Sequence, residues 1–147
     1  MKKYKYGITF GSFNPIHYGH LFLIQKIKDQ CEDLVVCIDT DDYLVNIKGK
    51  HLYHDYDTRF KLISMIKDVD MVFPQGNSEN NNKEYYIREL SKASKFNKYD
   101  VALFVGDDHK NTNWEGEIIA NKYNIPVIYL PHTVEIHSSD IRKLVNK

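Results

Sequence analysis

The stretch that decides the fold is Gly11-Ser12-Phe13-Asn14-Pro15-Ile16-His17-Tyr18-Gly19-His20, which directly follows the apolar run Tyr6–Phe10. The apolar run predicts a buried strand, and the glycine, asparagine and proline after it predict a tight turn. Apolar residues then resume at helical spacing. The sequence therefore predicts a strand, a loop and a helix whose first turn carries His17 and His20 three residues apart on one face.

Two histidines at a helix start point to phosphate chemistry. The free backbone N–H groups of a helix N-terminus favour an anion, and imidazoles aimed at the same place can bind a polyphosphate and, when protonated, donate to the charge that develops during reaction. A single histidine would be interpreted as a helix cap, but the whole string after a first strand favours a nucleotide site. We predict His17 and His20 to be catalytic. The nucleotide-binding residues predicted here are Thr9, Phe10, Gly11, Ser12, Phe13 and Gly19.

Bulk properties favour a small cytoplasmic protein. A length of 147 residues fits one domain, 1–147, and twenty basic residues balance twenty acidic ones. The net charge of zero predicts neither nucleic acid nor a membrane as partner, and no apolar run is long enough to span a bilayer or to serve as a signal peptide. Two cysteines, Cys31 and Cys37, are expected to be reduced.

Short apolar runs alternate with helical patterns along the chain, which predicts a doubly wound, Rossmann-like α/β fold: a five-stranded parallel sheet with helices on both faces. The predicted strands are Tyr6–Phe10, Leu34–Ile38, Met71–Phe73, Val101–Val105 and Val127–Leu130. The predicted helices are Tyr18–Asp29, Thr58–Lys67, Asn82–Ala93, Glu115–Tyr123 and Ser139–Val145. Two segments are predicted to be loose loops, Tyr43–Tyr56 and Gln75–Lys83. Ligands of such sheets bind beyond the carboxyl ends of the strands.

Charged residues follow the second predicted strand, where a triphosphate would need counter-charge. Each of them alone fits a solvated strand end or a loop. Taken with the histidine pair, the basic ones suit β- and γ-phosphates, and Lys48 is also predicted to be catalytic. The residues of this cluster predicted to bind substrate are Asp41, Lys48, Lys50 and Arg59.

Two further polar groups complete the predicted site. Gly106 permits close approach of a ligand after the fourth strand, and Asp107 and Asp108 can accept hydrogen bonds from a base or a ribose. Near the C-terminus a serine-capped helix start contains an arginine, which opposes the helix dipole unless an anion is bound nearby. The residues predicted there are the catalytic Arg142 and the nucleotide-binding Ile136, Ser138 and Ser139.

A metal site is not firmly assigned from the sequence. His51 and His54 are three residues apart, but they fall in a loop pattern and lack the partner residues of a zinc site.

The H-x-G-H string resembles that of the nucleotidyltransferase superfamily, which includes cytidylyltransferases and the adenylyltransferases of coenzyme biosynthesis. The resemblance to bacterial glycerol-3-phosphate cytidylyltransferases extends over nearly the whole chain, through Leu34–Ile38 with Thr40-Asp41, Lys48-Gly49-Lys50, Val105–Asp108 and Ile136–Arg142. It implies that His17 and His20 stabilise the α-phosphate, and that Lys48 and Arg59 hold phosphates. It further implies that Asp108 lies at the base pocket and that Ser138, Ser139 and Arg142 grip the triphosphate.

Four departures from that family concern the acceptor. Ser12-Phe13-Asn14-Pro15 looks more like the nicotinate-mononucleotide adenylyltransferase branch. His132 and Lys67 stand where the family has arginines, so the resemblance implies that His132 binds the nucleotide and that Lys67 binds substrate. His109–Asn113 looks like an insertion.

The resulting expectation is a cytidylyltransferase that joins CMP from CTP to glycerol 3-phosphate or a similar phosphorylated small alcohol, with Mg²⁺ bound to the triphosphate. One alternative is an adenylyltransferase of the nicotinate-mononucleotide or phosphopantetheine type. Another is a nucleotide sensor without catalysis. The resemblance implies a homodimer.

Overall fold

The computed structural model describes residues 2–93 and 100–131. Five parallel strands form one sheet in the order β3-β2-β1-β4-β5. The strands are β1 (Tyr4–Gly11), β2 (Cys31–Asp39), β3 (Met71–Gln75), β4 (Val101–Gly106) and β5 (Val127–Leu130). The helices are α1 (Tyr18–Lys28), α2 (Tyr56–Ser64), α3 (Lys83–Ala93) and α4 (Glu115–Lys122), with a π-helical turn at Tyr43–Ile47 and a 3₁₀ turn at Asp107–His109.

The strand order reverses at β1, which pairs in parallel with β2 on one side and with β4 on the other. Chains that leave β1 and β4 turn to opposite faces of a sheet of this kind, so a crevice opens between their carboxyl ends. The doubly wound fold predicted from the sequence is therefore confirmed.

Two apolar cores cover the two faces of the sheet. Leu34, Val36 and Ile38 of β2 belong to the core that includes α1 and α2, whereas Val35 and Cys37 belong to the core that includes α3 and α4. Because successive strand residues point to opposite faces, a strand buried on both must be apolar throughout. This explains why unbroken apolar runs, rather than alternating ones, located the strands.

All five predicted strands and the first four predicted helices are present. Helix α2 starts at Tyr56, two residues before the predicted start, because the carboxylate of Asp55 caps it by accepting a hydrogen bond from the N–H of Thr58 at 2.9 Å. The fifth predicted helix, Ser139–Val145, lies outside the described residues.

The prediction of a loose segment at Tyr43–Tyr56 is wrong for its first part. Tyr43 and Leu44 are buried, and the π-helical turn is anchored by the Thr40 hydroxyl, which accepts a hydrogen bond from the N–H of Tyr43. Gly76 has a φ of +83°, and a Cβ there would lie 2.5 Å from the Tyr43 ring. Only glycine therefore allows the chain after β3 to pack against this turn. No helix in the described parts of the chain has the length and apolar character needed to cross a membrane.

Candidate active site

The loop between β1 and α1 is built around the Phe13 ring. Phe13 has a φ of +51° and is buried, and its ring packs edge-on against the imidazole of His20 with centroids 4.9 Å apart. A Cβ on Gly11 would lie 2.8 Å from the same ring. Glycine is thus required at position 11, because a side chain there would displace the Phe13 ring that packs against His20.

The side chains of His17 and His20 together cap the N-terminus of α1. Nδ1 of His17 accepts a hydrogen bond from the N–H of Gly19, and Nδ1 of His20 accepts one from the N–H of His17, both at 3.1 Å. The two rings stack with centroids 3.8 Å apart and planes 24° apart. One reciprocal capping box therefore fixes both imidazoles in the same orientation.

This geometry determines where the ring protons lie. A nitrogen that accepts from a backbone N–H carries no proton, so the proton of each neutral ring is on Nε2. Burial, with a smaller contribution from His17, lowers the pKa of His20 to about 3. In the ligand-free protein His20 is therefore neutral, and its ring proton lies on Nε2.

A buried carboxylate links this loop to the end of β2. Asp39 is 1% exposed, and its Oδ2 atom accepts hydrogen bonds from the Ser12 hydroxyl and from Lys48 Nζ, both at 2.7 Å. The Lys48 ammonium also lies 3.3 Å from the Ser12 hydroxyl. Asp39 thereby holds the predicted phosphate-binding Lys48 beside the H-x-G-H loop.

A second lysine enters the site from the start of α3. Lys83 is 8% exposed, and its ammonium lies 5.8 Å from the ring centre of Phe10 and 5.4 Å from that of Tyr43. Glu115 Oε2 is 3.9 Å away. Burial lowers the pKa of Lys83, against the opposing charges of Asp39 and Glu115, so this cation is short of compensating negative charge.

These groups surround a cavity of about 370 Å³ at the crevice between β1 and β4. We call it the lysine cavity. Its lining residues are Phe10, Gly11, Ser12, Asp39, Tyr43, Lys48, Lys83, Val105, His109, Trp114 and Glu115. The sequence predicted four of these, Phe10, Gly11, Ser12 and Lys48.

Lys83 is the most informative residue that the sequence analysis missed. It is the first residue of α3, where a cation opposes the helix dipole. The same argument marked Arg142 as an anion-binding residue, and applied to Lys83 it would have found this one too.

Lys50 faces a separate cavity of about 340 Å³, lined by Ser12, Asn14, Leu44, Lys50, His51 and Tyr53. The Asn14 side chain fixes the wall of this cavity. Its Nδ2 donates to the carbonyl of His51 at 2.7 Å, while its Oδ1 accepts from the N–H groups of Tyr53 and His54. Ser12 lies between the two cavities because it lines both.

The family assignment agrees with this geometry. The profile described as cytidylyltransferase-like matches residues 8–144. The chain belongs to the cytidylyltransferase-like family. It is 33% identical over 137 residues to the glycerol-3-phosphate cytidylyltransferase of Bacillus subtilis, covering 92% of this chain and 93% of that protein. The Staphylococcus aureus protein of the same name is 32% identical over 92% of this chain and 91% of its own length. This chain is thus a nucleotidyltransferase.

Adenylyltransferases are more distant relatives of this cytidylyltransferase-like chain. A probable nicotinate-nucleotide adenylyltransferase of Clostridium botulinum is 27% identical, over 97% of this chain and 86% of that protein. A bifunctional NMN adenylyltransferase/ADP ribose pyrophosphatase from Francisella tularensis has a TM-score of 0.63 at 17% identity, covering 96% of this chain and 42% of that one. The Thermoplasma volcanium lipopolysaccharide core biosynthesis protein has a TM-score of 0.58 at 24% identity, covering 86% and 94%. Both structures support the fold.

The structure corrects the prediction that Arg59 holds substrate phosphates. Arg59 is fully buried, and its guanidinium donates to the carbonyls of His54, Ser12 and Asp39 at 2.6–3.0 Å. It also donates to Oδ1 of Asp41 at 2.7 Å. In this member of the family, Arg59 therefore braces the loops around the site with the help of Asp41, whose side chain is 39% exposed, and the prediction that Asp41 binds substrate stays a prediction.

Lys67 is not brought to the site either. It lies in the turn between α2 and β3, at the amino end of β3, whereas the cavities lie at the carboxyl ends of the strands. Its exposed side chain is therefore on the opposite edge of the sheet, and the prediction that Lys67 binds substrate within its own chain is wrong.

The remaining predicted residues stay predictions. Thr9 is buried within β1, and Gly106 ends β4 at the correct edge of the sheet, with exposed Asp107 and Asp108 after it. The residues that lie outside the described part of the chain are His132, Ile136, Ser138, Ser139 and Arg142.

Proposed function

We propose that the protein transfers CMP from CTP to glycerol 3-phosphate or a similar phosphorylated small alcohol, releasing pyrophosphate. The names of the two glycerol-3-phosphate cytidylyltransferase relatives support this choice of substrates, as does their match over nearly their full length. The observation that carries the proposal in the structure is the lysine cavity, which is lined by Gly11 and Ser12 at the start of the loop that leads to the histidine pair.

The lysine cavity has the chemistry of a site for a phosphate monoester. Lys48 and Lys83 both line it, and the Lys83 ammonium is buried with its nearest carboxylate oxygen at 3.9 Å. A buried cation without a close ion pair is costly, and an anionic ligand removes that cost. The aromatic rings of Phe10 and Tyr43 exclude water around it, which strengthens the attraction for a phosphate.

The proposed reaction is a single in-line displacement. An oxygen of the acceptor's phosphate forms a bond to the α-phosphorus of CTP, and the bond from that phosphorus to the bridging oxygen of the β-phosphate breaks, so that pyrophosphate leaves with the electron pair. A phosphate monoester is already nucleophilic near neutral pH and needs no strong base. The Nε2–H groups of His17 and His20 then donate to the oxygens of the α-phosphate, where negative charge develops.

Mg²⁺ enters the proposal with the nucleotide. It prefers oxygen ligands, keeps several waters and is commonly held by substrate phosphates. Among residues 2–93 and 100–131, no three histidine, cysteine, aspartate or glutamate side chains are grouped closely enough to hold a metal ion. In the proposal the ion is carried by the triphosphate, where it would neutralise phosphate charge.

An adenylyltransferase is the second candidate, because the Ser12–Pro15 stretch has its own structural consequence. Asn14 holds the wall of the second cavity through three hydrogen bonds, so the chain has space beside Lys50 for a larger acceptor such as a mononucleotide. The adenylyltransferase relatives point the same way at lower identity.

A homodimer and a cytoplasmic location complete the proposal. Strand β3 is an edge of the sheet, and Met71 and Phe73 on it are 37% and 38% exposed. Leu62 and Met65 of the preceding segment are also exposed. A second copy packed on this edge would cover these apolar groups, and light scattering on the purified protein measures whether it does.

The test is pyrophosphate release from the purified protein with Mg²⁺, crossing CTP, ATP, GTP and UTP with a panel of phosphorylated acceptors. Release with CTP and a polyol phosphate is the expected result. Release with ATP and a mononucleotide would replace the proposal with the adenylyltransferase. Tight nucleotide binding in calorimetry without release in any combination would show a sensor.

A further inference from the structure

We propose that Asp39 determines which acceptor is used: its free carboxylate oxygen accepts a hydrogen bond from a hydroxyl group of the acceptor. The enzyme would then prefer phosphate esters that carry a hydroxyl near the phosphate, and reject those that carry a second acid at that place. This inference rests on the proposed function, because it assumes that the acceptor binds in the lysine cavity.

The two oxygens of Asp39 have different surroundings. Oδ2 accepts from the Ser12 hydroxyl and from Lys48 Nζ, each at 2.7 Å. Oδ1 accepts no hydrogen bond from the described part of the chain, and it keeps some access to solvent. Asp39 lines the lysine cavity although it is only 1% exposed. Because Asp39 lines the cavity and Oδ2 is already engaged, we infer that Oδ1 is the oxygen a ligand in the cavity would meet.

The neighbours of Asp39 set the position of the acceptor. Lys48 is in contact with Asp39, and Lys83 is close enough for the Asp39 charge to oppose the lowering of its pKa. Burial and the nearby Asp39 charge also raise the pKa of the Tyr43 phenol. A phosphate held by the two lysines would consequently place the first carbons of its alcohol beside Asp39.

A carboxylate is a selective partner at such a place. A hydrogen bond to a buried charged acceptor is stronger than one to a neutral group, so a hydroxyl there raises affinity. Lys48 and Lys83 offset the charge of the phosphate, whereas a further carboxylate on the ligand would face Asp39 without another lysine or arginine among the described lining residues, and would be rejected. The same group therefore favours one class of acceptor and excludes another.

The test compares three phosphate esters of similar size: glycerol 3-phosphate, n-propyl phosphate without hydroxyls, and 3-phosphoglycerate with an added carboxylate. Steady-state kinetics with CTP are measured for the wild type and for Asp39→Asn. In the variant, Ser12 and Lys48 hold the amide oxygen, so the amide NH₂ faces the cavity and donates instead of accepting. Ser12→Ala is the matched control, because it removes one bond to Oδ2 and leaves Oδ1 unchanged.

For the wild type we expect kcat/KM to be at least about tenfold higher for glycerol 3-phosphate than for n-propyl phosphate, mainly through KM, as for one charged hydrogen bond. In Asp39→Asn this ratio falls toward one, and use of 3-phosphoglycerate rises. In Ser12→Ala the ratio is kept whatever happens to the absolute rate. An unchanged ratio in Asp39→Asn, or a wild type that prefers n-propyl phosphate, would overturn the inference.

Failure of the proposed function gives a different result. If no acceptor is turned over, calorimetry of the same three esters in the presence of CTP and Mg²⁺ still measures the preference. A preference of the wild type for glycerol 3-phosphate that Asp39→Asn removes would support the inference without catalysis. Equal affinities of the wild type for the three esters would overturn it.

Discussion

Arg59 and Lys83 are both buried cations at the carboxyl edge of the sheet, and they have opposite roles. Arg59 donates to three backbone carbonyls and to Asp41, so the protein itself supplies its partners. Lys83 lies between two aromatic rings, with its nearest carboxylate oxygen 3.9 Å away. A buried cation surrounded by its own chain's acceptors stabilises the fold, whereas one left short of them is suited to a ligand.

Substitution of Arg59 should have the largest effect, and this effect is on the stability of the fold. Arg59→Met leaves three carbonyls and Asp41 without their donors, and we expect the free energy of unfolding to fall by about 3–5 kcal/mol. Urea denaturation measures it. Lys61→Met, which removes an exposed ion pair with Asp57, is the control and should leave stability nearly unchanged. An Arg59→Met protein as stable as the wild type would contradict the bracing role.

Removing either histidine should have the next largest effect, on the chemical step. His17→Ala and His20→Ala should each lower kcat by at least about a hundredfold, the loss typical of one transition-state donor. Because both rings also cap α1, circular dichroism must first show that each variant is folded. Near-normal kcat in a folded variant would remove the proposed role of that ring.

Lys83→Met removes the second buried cation, the one that we propose binds the acceptor. We expect the KM for the acceptor to rise at least about tenfold while kcat changes less, since a ground-state phosphate contact is lost. Stability should stay the same or increase, because a poorly paired buried charge has been removed. Lys122→Met, which removes an exposed pair with Glu84, is the control for both readouts. A large loss of stability without a change in KM would show that Lys83, like Arg59, stabilises the fold and does not bind the acceptor.

The neutral state of His20 predicts a pH dependence of stability. His20 takes up a proton near pH 6.5 in the unfolded chain but only near pH 3 in the folded protein. The free energy of unfolding therefore falls as the pH decreases through this window. The contribution is at most about 1.4 kcal/mol per pH unit. The stability difference between wild type and His20→Gln, measured by urea denaturation at several pH values, should therefore shrink on acidification. A difference that is constant between pH 7 and pH 4 would contradict the lowered pKa.

The smallest effect is expected at Lys67, which lies on the opposite edge of the sheet. Lys67→Ala should leave kcat and KM within about twofold of the wild type, in line with an exposed position away from the cavity. A much larger rise in KM would show that a partner subunit brings Lys67 to the site, which the described chain alone does not.

Sequence reasoning succeeded where a local pattern carries the information. The unbroken apolar runs located every strand, and the H-x-G-H string located the loop at the switch point. It failed at Arg59, because the partners that use up its donors are as far away as Ser12 in sequence. The protonation of His20 was likewise out of reach, since it depends on how the imidazole caps its helix. Lys83 was within reach through the helix-dipole argument.

The most direct test of the account is ³¹P NMR of the products that the wild type forms from CTP, glycerol 3-phosphate and Mg²⁺. The account predicts free pyrophosphate in equal amount with a new diester of pyrophosphate, whose two unlike phosphorus atoms are coupled to each other. Formation of CDP and orthophosphate, with glycerol 3-phosphate unchanged, would mean that the triphosphate is cut elsewhere and would contradict nucleotidyl transfer to a phosphate acceptor.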